Sequence, residues 1–590
     1  MAPRFFSVLL ICLLCWINSF TQNVKITPYE RSGGKSTPRY AETMAYCRQL
    51  ASFSPFVKME SIGKSAQGRD IELLIIDKKH NFTPDAVHRS GNVVLMVQAC
   101  IHAGEPDGKD AMQLLLRDML VKGIHKELLD HVTILFIPIF NTDGHERFGP
   151  YNRINQNGPT EMGWRTTAQN LNLNRDYLKA DAPEMQAWLK NLNKWNPDFF
   201  IDTHVTDGAD YQYKITYSLE LGGNMEVGLT NWTQNYYEKE ILKLLDKDSV
   251  PAFPYVQFRN WHDPRSGLFL TPSPPMLSTG YFAVRNRPAL LIETHMLKAY
   301  PIRVEATYKT IQHTMELLNK DYLRFLQVIQ KADDYTASAD FRKNPFIVKF
   351  KTSYKDSVMT SFKGVEYEGV KSDLTGGEWF IYHPEKPLTM QIPFFTKAES
   401  VALVQLPMAY IIPVEWSEVI KRIQLHGLKY TILNKPTSFT VGTYRFSNVK
   451  FRPASYEGRF IAQFGLDTIT ENREYQTGSI IVPTNQPLAR IAAYLLEPLA
   501  DGSLASWGFF NTIMEQKEYT ESYVMERMAR EMLAKDAKLK EAFEQKRVSD
   551  AHFGNDPEAI INWFYSKTPY WDQQLNLYPI GKLMNMPAKK

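Results

Sequence analysis

The sequence is 590 residues long, which corresponds to roughly four domains of ordinary size. Hydrophobic residues make up 44% and charged residues 22%, values that exclude a disordered chain, a collagen-like fibre and a coiled-coil rod. Lys and Arg total 68 against 64 Asp and Glu, so the net charge is only +4. Spread over a chain of this length, that charge argues against a dedicated nucleic-acid-binding protein.

The N-terminus has the features of a secretory signal peptide. One positive charge in Met1–Arg4 precedes an almost continuous apolar run, Phe5–Ile17, and the small residues Ser19 and Thr21 stand two positions apart, as before a cleavage site. The apolar run is too short for a comfortable membrane span, so we expect a cleaved signal peptide of residues 1–21. No later segment has about 18 uncharged apolar residues in a row. We therefore expect a secreted or periplasmic protein without a stable membrane span.

Cys47 and Cys100 are the two cysteines outside the signal peptide. They could form one disulfide, but a chain with a large core does not need it. Cys100 ends an apolar strand, which favours a buried thiol, and the sequence does not decide whether the two cysteines pair.

Predicted strands and helices alternate from about residue 61 onward. Helical periodicity in Lys109–Lys122 separates two strands, and a long amphipathic repeat predicts the last helix over Arg303–Lys331. Near-continuous apolar strands separated by helices are typical of a sheet buried on both faces, so the pattern predicts an α/β layered domain. The predicted strands are Ile71–Asp77, Val93–Cys100, Val132–Phe140, Phe199–Thr203 and Ala289–Thr294.

The polar, turn-rich stretch Ala332–Asn344 is the predicted domain boundary. Beyond it, short β-rich runs flanked by Gly and Pro indicate an all-β or mixed C-terminal extension. Glu518–Arg547 is expected to form a pair of solvated amphipathic helices. The chain therefore divides into a first domain, residues 22–335, and an extension, residues 345–590. The β-rich runs are Phe346–Phe350, Trp379–Tyr382, Leu388–Pro393 and Phe439–Phe446.

Three candidate metal ligands follow two of the predicted strands. His102 and Glu105 stand three residues apart in the turn after one strand, and His204 directly follows another. Two imidazoles and one carboxylate form a zinc site with one position open, the arrangement of catalytic rather than structural zinc. Open α/β sheets also place their ligands at the carboxyl ends of strands. A chance His-x-x-Glu pair with structural histidines is the alternative interpretation.

Glu293 lies near the end of an apolar strand. Burying an unpaired carboxylate is unfavourable, and one reason to do so is general acid/base catalysis beside a metal-activated water. An ion-paired Glu at a strand end is the alternative. His295, two residues on, is a second candidate for the same catalytic role.

Arg165 and Arg175 lie ten residues apart, and Asn174 directly precedes the second arginine. A guanidinium group binds a carboxylate through a fork of N–H groups and also stabilises an oxyanion. One arginine for each task would suit hydrolysis next to a free carboxylate. A surface salt bridge is the alternative for either arginine alone.

Taken in chain order, these motifs resemble the M14 zinc carboxypeptidases, also called the carboxypeptidase A family. The resemblance covers roughly residues 38–330 and includes Ser61–Leu74, which is similar to the opening strand pair of the family. It implies a mixed, mostly parallel eight-stranded sheet flanked by helices, and one zinc ion per chain. The motifs are His-Ala-Gly-Glu at His102–Glu105, Asn-Thr-Asp-Gly at Asn141–Gly144, Arg165, Asn174-Arg175, Thr203-His204 and Glu293.

The resemblance also implies a role for each residue, with a peptide carrying a free C-terminal carboxylate as the substrate. The implied roles are zinc binding for His102, Glu105 and His204, general acid/base catalysis for Glu293, polarisation of the scissile carbonyl for Arg165, binding of the terminal carboxylate for Asn174 and Arg175, and the mobile tyrosine of the family for Tyr281.

Three departures from the family pattern affect the expected pocket. Digestive members have an arginine where this chain has Gly104, so that subsite contact is missing. The family often has an Asp where this chain has Asn172, which can orient the first histidine but adds no charge. Tyr281 precedes the catalytic Glu by only 12 residues, a short spacing. Arg285 and Arg287, nearby, either favour acidic substrates or are ordinary surface charges.

We therefore predict a secreted zinc metallocarboxypeptidase. A zinc amidase acting on cell-wall peptides or N-acyl amino acids is one alternative, and a non-catalytic binding protein with a vestigial site is another. The extension resembles that of large secreted bacterial M14-like proteins at Trp507–Phe510 and Glu515–Tyr519, a likeness that implies no role. Side-chain preference and oligomeric state stay open.

Overall fold

Eight of the first ten strands of the chain build the sheet that carries the predicted site. The computed structural model describes residues 24–585, so the predicted signal peptide, with Cys12 and Cys15, lies outside the described residues. The strands are β1 (Val57–Lys64), β2 (Asp70–Ile76), β3 (Val93–Gln98), β4 (Val132–Ile137), β5 (Phe199–Val205), β6 (Ile215–Leu219), β7 (Ala252–Pro254), β8 (Phe258–Asn260), β9 (Asp263–Phe269) and β10 (Ala289–Thr294).

Eight of these strands form one mixed sheet in the order β1-β2-β4-β3-β5-β10-β6-β7. Its four central strands, β4, β3, β5 and β10, are parallel, whereas β1 and β2 pair antiparallel at one side and β6 runs antiparallel to β10. The carboxyl ends of the central strands therefore meet at one edge. The predicted eight-stranded mixed sheet is confirmed.

Helices cover both faces of the sheet. The helices of the first half are α1 (Pro28–Arg31), α2 (Tyr40–Phe53), α3 (Pro84–Ser90), α4 (Asp107–Arg117), α5 (Thr142–Glu146), α6 (Pro183–Trp195), α7 (Val227–Trp232), α8 (Lys239–Lys247), α9 (Ser278–Val284), α10 (Tyr300–Lys320), α11 (Tyr322–Ala337) and α12 (Ala339–Lys343).

Side chains that alternate along the central strands enter two separate apolar clusters. Val93, Leu95 and Val97 of β3 pack with α2, α4, α10 and α11, whereas Val94 and Met96 pack with α6 and with the C-terminal extension. Because successive side chains of a strand point to opposite faces, a sheet covered on both sides needs apolar residues at every position. The near-continuous apolar runs in the sequence follow from this double burial.

The extension adds three smaller sheets, a helical group and a strand pairing with the first half. Its β12 and β13 join β9 and β8 in a four-stranded sheet, β11 pairs with β14, and the remaining strands form a six-stranded sheet. The strands are β11 (Phe346–Thr352), β12 (Val358–Lys371), β13 (Glu378–Phe395), β14 (Ala398–Val404), β15 (Ala409–Ile412), β16 (Thr431–Ile432), β17 (Thr437–Phe451), β18 (Ala462–Tyr475), β19 (Ile480–Pro483) and β20 (Gly581–Leu583). The helices are α13 (Ser417–Leu425), α14 (Ala489–Leu496), α15 (Ser522–Lys535), α16 (Ala537–Ser549), α17 (Ala551–Gly554) and α18 (Pro557–Tyr565).

The stretch that was predicted as a polar, turn-rich boundary is largely helical. Ala332–Asn344 contains the end of α11 and all of α12. The single helix predicted over Arg303–Lys331 is instead two helices, which meet at Asp321. The division into residues 22–335 and 345–590 stays a prediction.

Two smaller predictions concern cysteines and membrane spans. Cys47 and Cys100 are both free and buried. Within the described part of the chain, every helix is too short or too polar to cross a bilayer.

Candidate metal centre

The strand register brings the candidate site residues to one edge of the sheet. Residues 99–106 leave β3 and lead into α4, and they carry His102 and Glu105. His204 lies within β5, and its Cα pairs directly with that of Glu293 on the neighbouring parallel strand β10. All four side chains are buried, with at most 8% of any residue exposed.

The three predicted ligands converge on one another. His102 Nδ1 lies 3.2 Å from Glu105 Oε1, and His204 Nδ1 lies 3.1 Å from Glu105 Oε2. The two histidine Nδ1 atoms are 3.2 Å apart. Two imidazole nitrogens and a carboxylate that face one point in a buried site form the donor set that zinc prefers, so these residues fit a zinc ion.

Polar partners hold the far side of each imidazole. His102 Nε2 donates to Asn172 Oδ1 at 3.1 Å, and Asp202 Oδ2 lies 3.1 Å from His204 Nε2. With each Nε2 turned toward a polar partner, each Nδ1 faces the shared point, which is how outer partners orient metal-binding histidines. Asn172 thus contacts the first histidine through its neutral side chain.

The electrostatics of the ligands follow from burial and close pairing. Burial lowers the pKa of His102 to about 4, although Glu105 opposes this effect. Burial acts to raise the pKa of Glu105, but His102 and Arg153 outweigh it and hold that pKa well below the usual value. At about pH 7, the pair therefore offers a neutral imidazole and an ionised carboxylate, the protonation states that bind metal ions.

Glu293 is the second buried carboxylate at this edge. Burial raises its pKa to about 8, while the neighbouring His204 acts in the opposite direction. Among residues 24–585, Oε2 of Glu293 has no hydrogen-bond partner. Within the described residues no ion pair accounts for this carboxylate, which borders an open cleft of about 460 Å³.

The same cleft contains the predicted arginines. Arg165 Nη1 lies 3.6 Å from Glu105 Oε1, and its side chain is 42% exposed. Asn174 and Arg175 belong to a short 3₁₀ turn, Leu173–Arg175, and both line the cleft. Arg175 Nη1 donates to the carbonyl oxygen of Asn174 at 2.6 Å.

Tyr281 does not reach this cleft, so its predicted position at the substrate is wrong. It lies on α9, is fully buried, and its hydroxyl donates to His426 Nδ1 at 2.7 Å. The tyrosine that does line the cleft is Tyr255, which precedes β8. The short spacing of Tyr281 from the catalytic candidate was the one signal in the sequence against it.

The other charged candidates nearby are also buried in the core. Arg287 binds Asp333 through two hydrogen bonds of 3.0 and 2.9 Å, and Arg285 Nη1 donates to the Tyr281 hydroxyl at 3.4 Å. Neither arginine is therefore a surface charge or a residue of the cleft. His295 Nε2 lies 2.9 Å from Asp210 and does not line the cleft.

Arg153 is a cleft residue that the sequence did not indicate. Its Nη2 lies 2.8 Å from Glu105 Oε1, and its side chain is 15% exposed. A Cβ added to Gly104 would lie 2.7 Å from Arg153 Cγ. The aliphatic part of the Arg153 side chain thus fills the space beside Gly104, and its guanidinium contacts Glu105.

Comparison with known proteins agrees with this geometry. Residues 43–250 match the family model Peptidase_M14, described as zinc carboxypeptidase. Carboxypeptidase 2 of Trichophyton rubrum is 24% identical over 490 residues, which cover 81% of this chain and 85% of that protein. A probable carboxypeptidase 2 of Arthroderma benhamiae is 23% identical over 479 residues, 79% of this chain and 85% of the relative.

Solved structures with similarity include two carboxypeptidases. A metallo-carboxypeptidase from Pseudomonas aeruginosa, solved with (2-guanidinoethylmercapto)succinic acid, is 17% identical with a TM-score of 0.37, over 50% of this chain and 70% of that one. Carboxypeptidase A of Helicoverpa armigera is 17% identical with a TM-score of 0.34, over 50% and 74%. The family match and the curated relatives show an M14 zinc carboxypeptidase domain over residues 43–250, which supports a metallocarboxypeptidase activity.

Proposed function

We propose that this protein removes the C-terminal residue from peptides that carry a free carboxylate. The observation that supports this most directly is the arrangement of one cleft. A three-ligand donor set, a buried carboxylate with an unpartnered oxygen and several guanidinium groups all border the same space of about 460 Å³. Hydrolysis of the last peptide bond of a chain needs a base, an electrophile and a receptor for the terminal carboxylate, and this cleft offers a candidate for each.

His102, Glu105 and His204 would hold one zinc ion per chain. Zinc bound there supplies Lewis acidity toward the scissile carbonyl and the attacking water. Glu293 would accept a proton from the attacking water and pass it to the leaving amine, a task for which a raised pKa suits a carboxylate. Arg165 donates to the oxygen that gains negative charge.

The free carboxylate of the substrate binds to Arg175 and Asn174. A guanidinium recognises a carboxylate through two parallel N–H groups, so this contact selects a chain terminus over an internal peptide bond. Arg153 brings a further positive charge to the cleft through its contact with Glu105. We also propose that residues 22–335 form the catalytic domain, that residues 345–590 form the extension, and that the protein is secreted or periplasmic.

Paired peptides that differ only in a free-acid or amidated C-terminus test the proposal. The wild type should cleave the free acids much faster. Arg175→Ala should raise KM for the free acids at least about 10-fold, because charge-assisted hydrogen bonds are lost, and should change the amides little. The measurement is release of single residues by mass spectrometry. Arg527→Ala, which removes an exposed arginine on α15, is the matched control.

Equal wild-type rates on the acids and the amides would contradict the carboxypeptidase proposal. Release of internal or acyl fragments would instead favour the zinc amidase. Zinc binding with no turnover on any peptide would favour a binding protein with a vestigial site.

A further inference from the structure

A tight turn of the extension, Tyr456–Arg459, reaches the segment that carries the proposed carboxylate receptor. The hydroxyl of Tyr456 accepts a hydrogen bond from Arg175 Nε at 3.2 Å. Glu457 Oε2 accepts from the backbone N–H of Asn172 at 2.9 Å. Both contacts join residues more than 280 positions apart in sequence, so they depend on how the extension packs against the sheet domain.

We infer that this turn positions Arg175 for the substrate, and that the extension is in this way part of the carboxylate site. The inference rests on the proposed function, in which Arg175 binds the free carboxylate. Tyr456 and Glu457 are not among the residues that line the cleft. They act through Arg175 and Asn172 and are positioning residues rather than catalytic ones.

The hydrogen bonds of Arg175 fix the plane of its guanidinium. Nε donates to Tyr456, and Nη1 donates to the carbonyl oxygen of Asn174 at 2.6 Å. Within residues 24–585, these are the two hydrogen bonds of the Arg175 guanidinium, and Arg175 lines the cleft. Because a two-pronged guanidinium–carboxylate contact requires coplanar groups, holding Nε in place should lower the entropy lost when the substrate binds.

The turn is itself anchored on both sides. The ring of Tyr456 stacks on Trp507 with centroids 5.9 Å apart and planes inclined by 8°, and the guanidinium carbon of Arg452 lies 5.2 Å from the Tyr456 ring centroid. Arg459 binds Asp181 through two hydrogen bonds of 2.6 and 2.7 Å. These contacts leave the Tyr456 hydroxyl directed at Arg175.

The backbone of the turn is strained, which independently indicates a functional role for it. Glu457 and Gly458 have φ angles of +50° and +76°, and Tyr456 and Arg459 exchange backbone hydrogen bonds of 2.9 and 3.1 Å. Two left-handed residues in a two-residue hairpin loop favour Asn or Asp followed by Gly, and a glutamate is strained there. The strained residue is Glu457, and its side chain accepts a hydrogen bond from the backbone of Asn172. The side chain of Asn172 in turn contacts His102.

Tyr456→Phe tests the inference because it keeps the ring and its stacking but removes the hydroxyl. KM for free-acid peptides should rise roughly 2- to 10-fold, the change expected from losing one hydrogen bond of ordinary strength, while kcat stays within about twofold. KM for amidated peptides, the zinc dissociation constant and the thermal midpoint should not change. Tyr523→Phe, which removes an exposed hydroxyl from α15, is the matched control.

Glu457→Gly separates positioning from stability. Glycine relieves the left-handed backbone, so the thermal midpoint should not fall, whereas loss of the carboxylate should still raise KM for free-acid peptides. A purely structural role of the turn predicts the reverse, with a lower midpoint and unchanged KM, and that result would overturn the inference.

Arg175→Ala in the same assay distinguishes failure of the positioning inference from failure of the proposed function. If it raises KM and Tyr456→Phe does not, the positioning role is wrong and the proposed function stands. If neither variant changes KM, the proposed function fails and the inference fails with it. A Tyr456→Phe variant that loses free-acid and amidated substrates equally would also overturn the inference.

Discussion

Glu293 is a carboxylate that the fold keeps buried and only partly satisfied. One of its oxygens has no hydrogen-bond partner within residues 24–585, and burial raises its pKa to about 8. Such an environment disfavours the ionised form, so the residue weakens the fold rather than supporting it. Buried acids with raised pKa values beside a cleft are candidates for proton transfer, which is the role we propose.

Glu293→Gln should separate that role from binding. Glutamine keeps the shape of the side chain but cannot accept a proton, so kcat should fall at least about 100-fold, the lower end of what a positioned acid/base group contributes. Zinc content and KM for free-acid peptides should be retained. Steady-state kinetics and metal analysis of the same preparation check this. A variant that keeps turnover within a few-fold of wild type would remove Glu293 from the mechanism.

The convergence of the candidate ligands could be predicted from the sequence, but their surroundings could not. His102 and Glu105 follow a buried strand, His204 lies near the end of another, and the ends of parallel strands meet at one edge. Arg153 comes from an irregular loop whose path follows no periodicity, so its contact with Glu105 had no signal in the sequence. Tyr281 has the right residue type, but α9 directs it into the core, where it packs against Trp188.

At the scale of elements, the metal centre depends on how closely α4 packs against β5. Gly108 lies in the first turn of α4, and a Cβ added there would be 2.0 Å from Thr203 Oγ1 and 2.4 Å from Thr203 Cβ. Glu105 precedes this turn, and His204 follows Thr203 directly. The contact between the glycine and the threonine thus fixes the separation of two proposed ligands.

Gly108→Ala should therefore weaken both the fold and the metal site. Forcing a methyl group into a packed contact destabilises a protein by about 1–3 kcal/mol, and separation of Glu105 from His204 should reduce zinc affinity at least about 10-fold. Chelator competition and thermal unfolding are the measurements. In Gly228→Ala on α7, the added Cβ meets mainly the flexible Glu226 side chain, so this control should be neutral or stabilising. Unchanged zinc affinity in Gly108→Ala would show that α4 and β5 do not set the ligand geometry.

Some elements were predicted only in part because tertiary contacts decide where they end. Trp379–Tyr382 and Leu388–Pro393, predicted as separate runs, belong to the single strand β13. The pairing register shifts where Val365 pairs with Pro387 and Glu366 pairs with His383, so residues 384–386 form a bulge that accommodates proline. The predicted helix Arg303–Lys331 breaks at Asp321, which accepts a hydrogen bond from Trp232 Nε1. The amphipathic repeat continues across that break and does not reveal it.

At the scale of the whole molecule, the extension shares a core with the sheet domain. One apolar cluster contains Trp188 and Phe200 from the first half together with Tyr410, Ile412 and Tyr578 from the extension. Composition and strand patterns predicted an appended unit, because they indicate local secondary structure but not which surfaces of the two halves pack together. The position of the shared core could be found only from the structure.

Buried polar contacts cross the same interface. Arg422 Nε donates to the carbonyl oxygen of Lys179 at 2.9 Å, and Arg490 Nη1 donates to that of Asn224 at 2.6 Å. A buried donor that loses its acceptor is destabilising, so these contacts oppose separation of the two halves. The helical group α15–α18 differs, because its apolar side chains form a cluster of their own, which includes Met525, Phe543 and Phe564.

Two deletions should therefore behave differently. A chain that ends at residue 344 exposes the apolar surface that Tyr410 and Tyr578 cover, so it should aggregate or bind hydrophobic dyes and should lack stoichiometric zinc. Replacement of residues 518–568 by a flexible Gly/Ser linker removes only the separate helical cluster and should leave zinc content and KM for free-acid peptides near wild type. Size-exclusion chromatography, metal analysis and the peptide assay compare the two. A soluble monomeric 1–344 chain with full zinc and wild-type KM would show that the extension is dispensable, and it would also contradict a positioning role for Tyr456 because that residue would be gone.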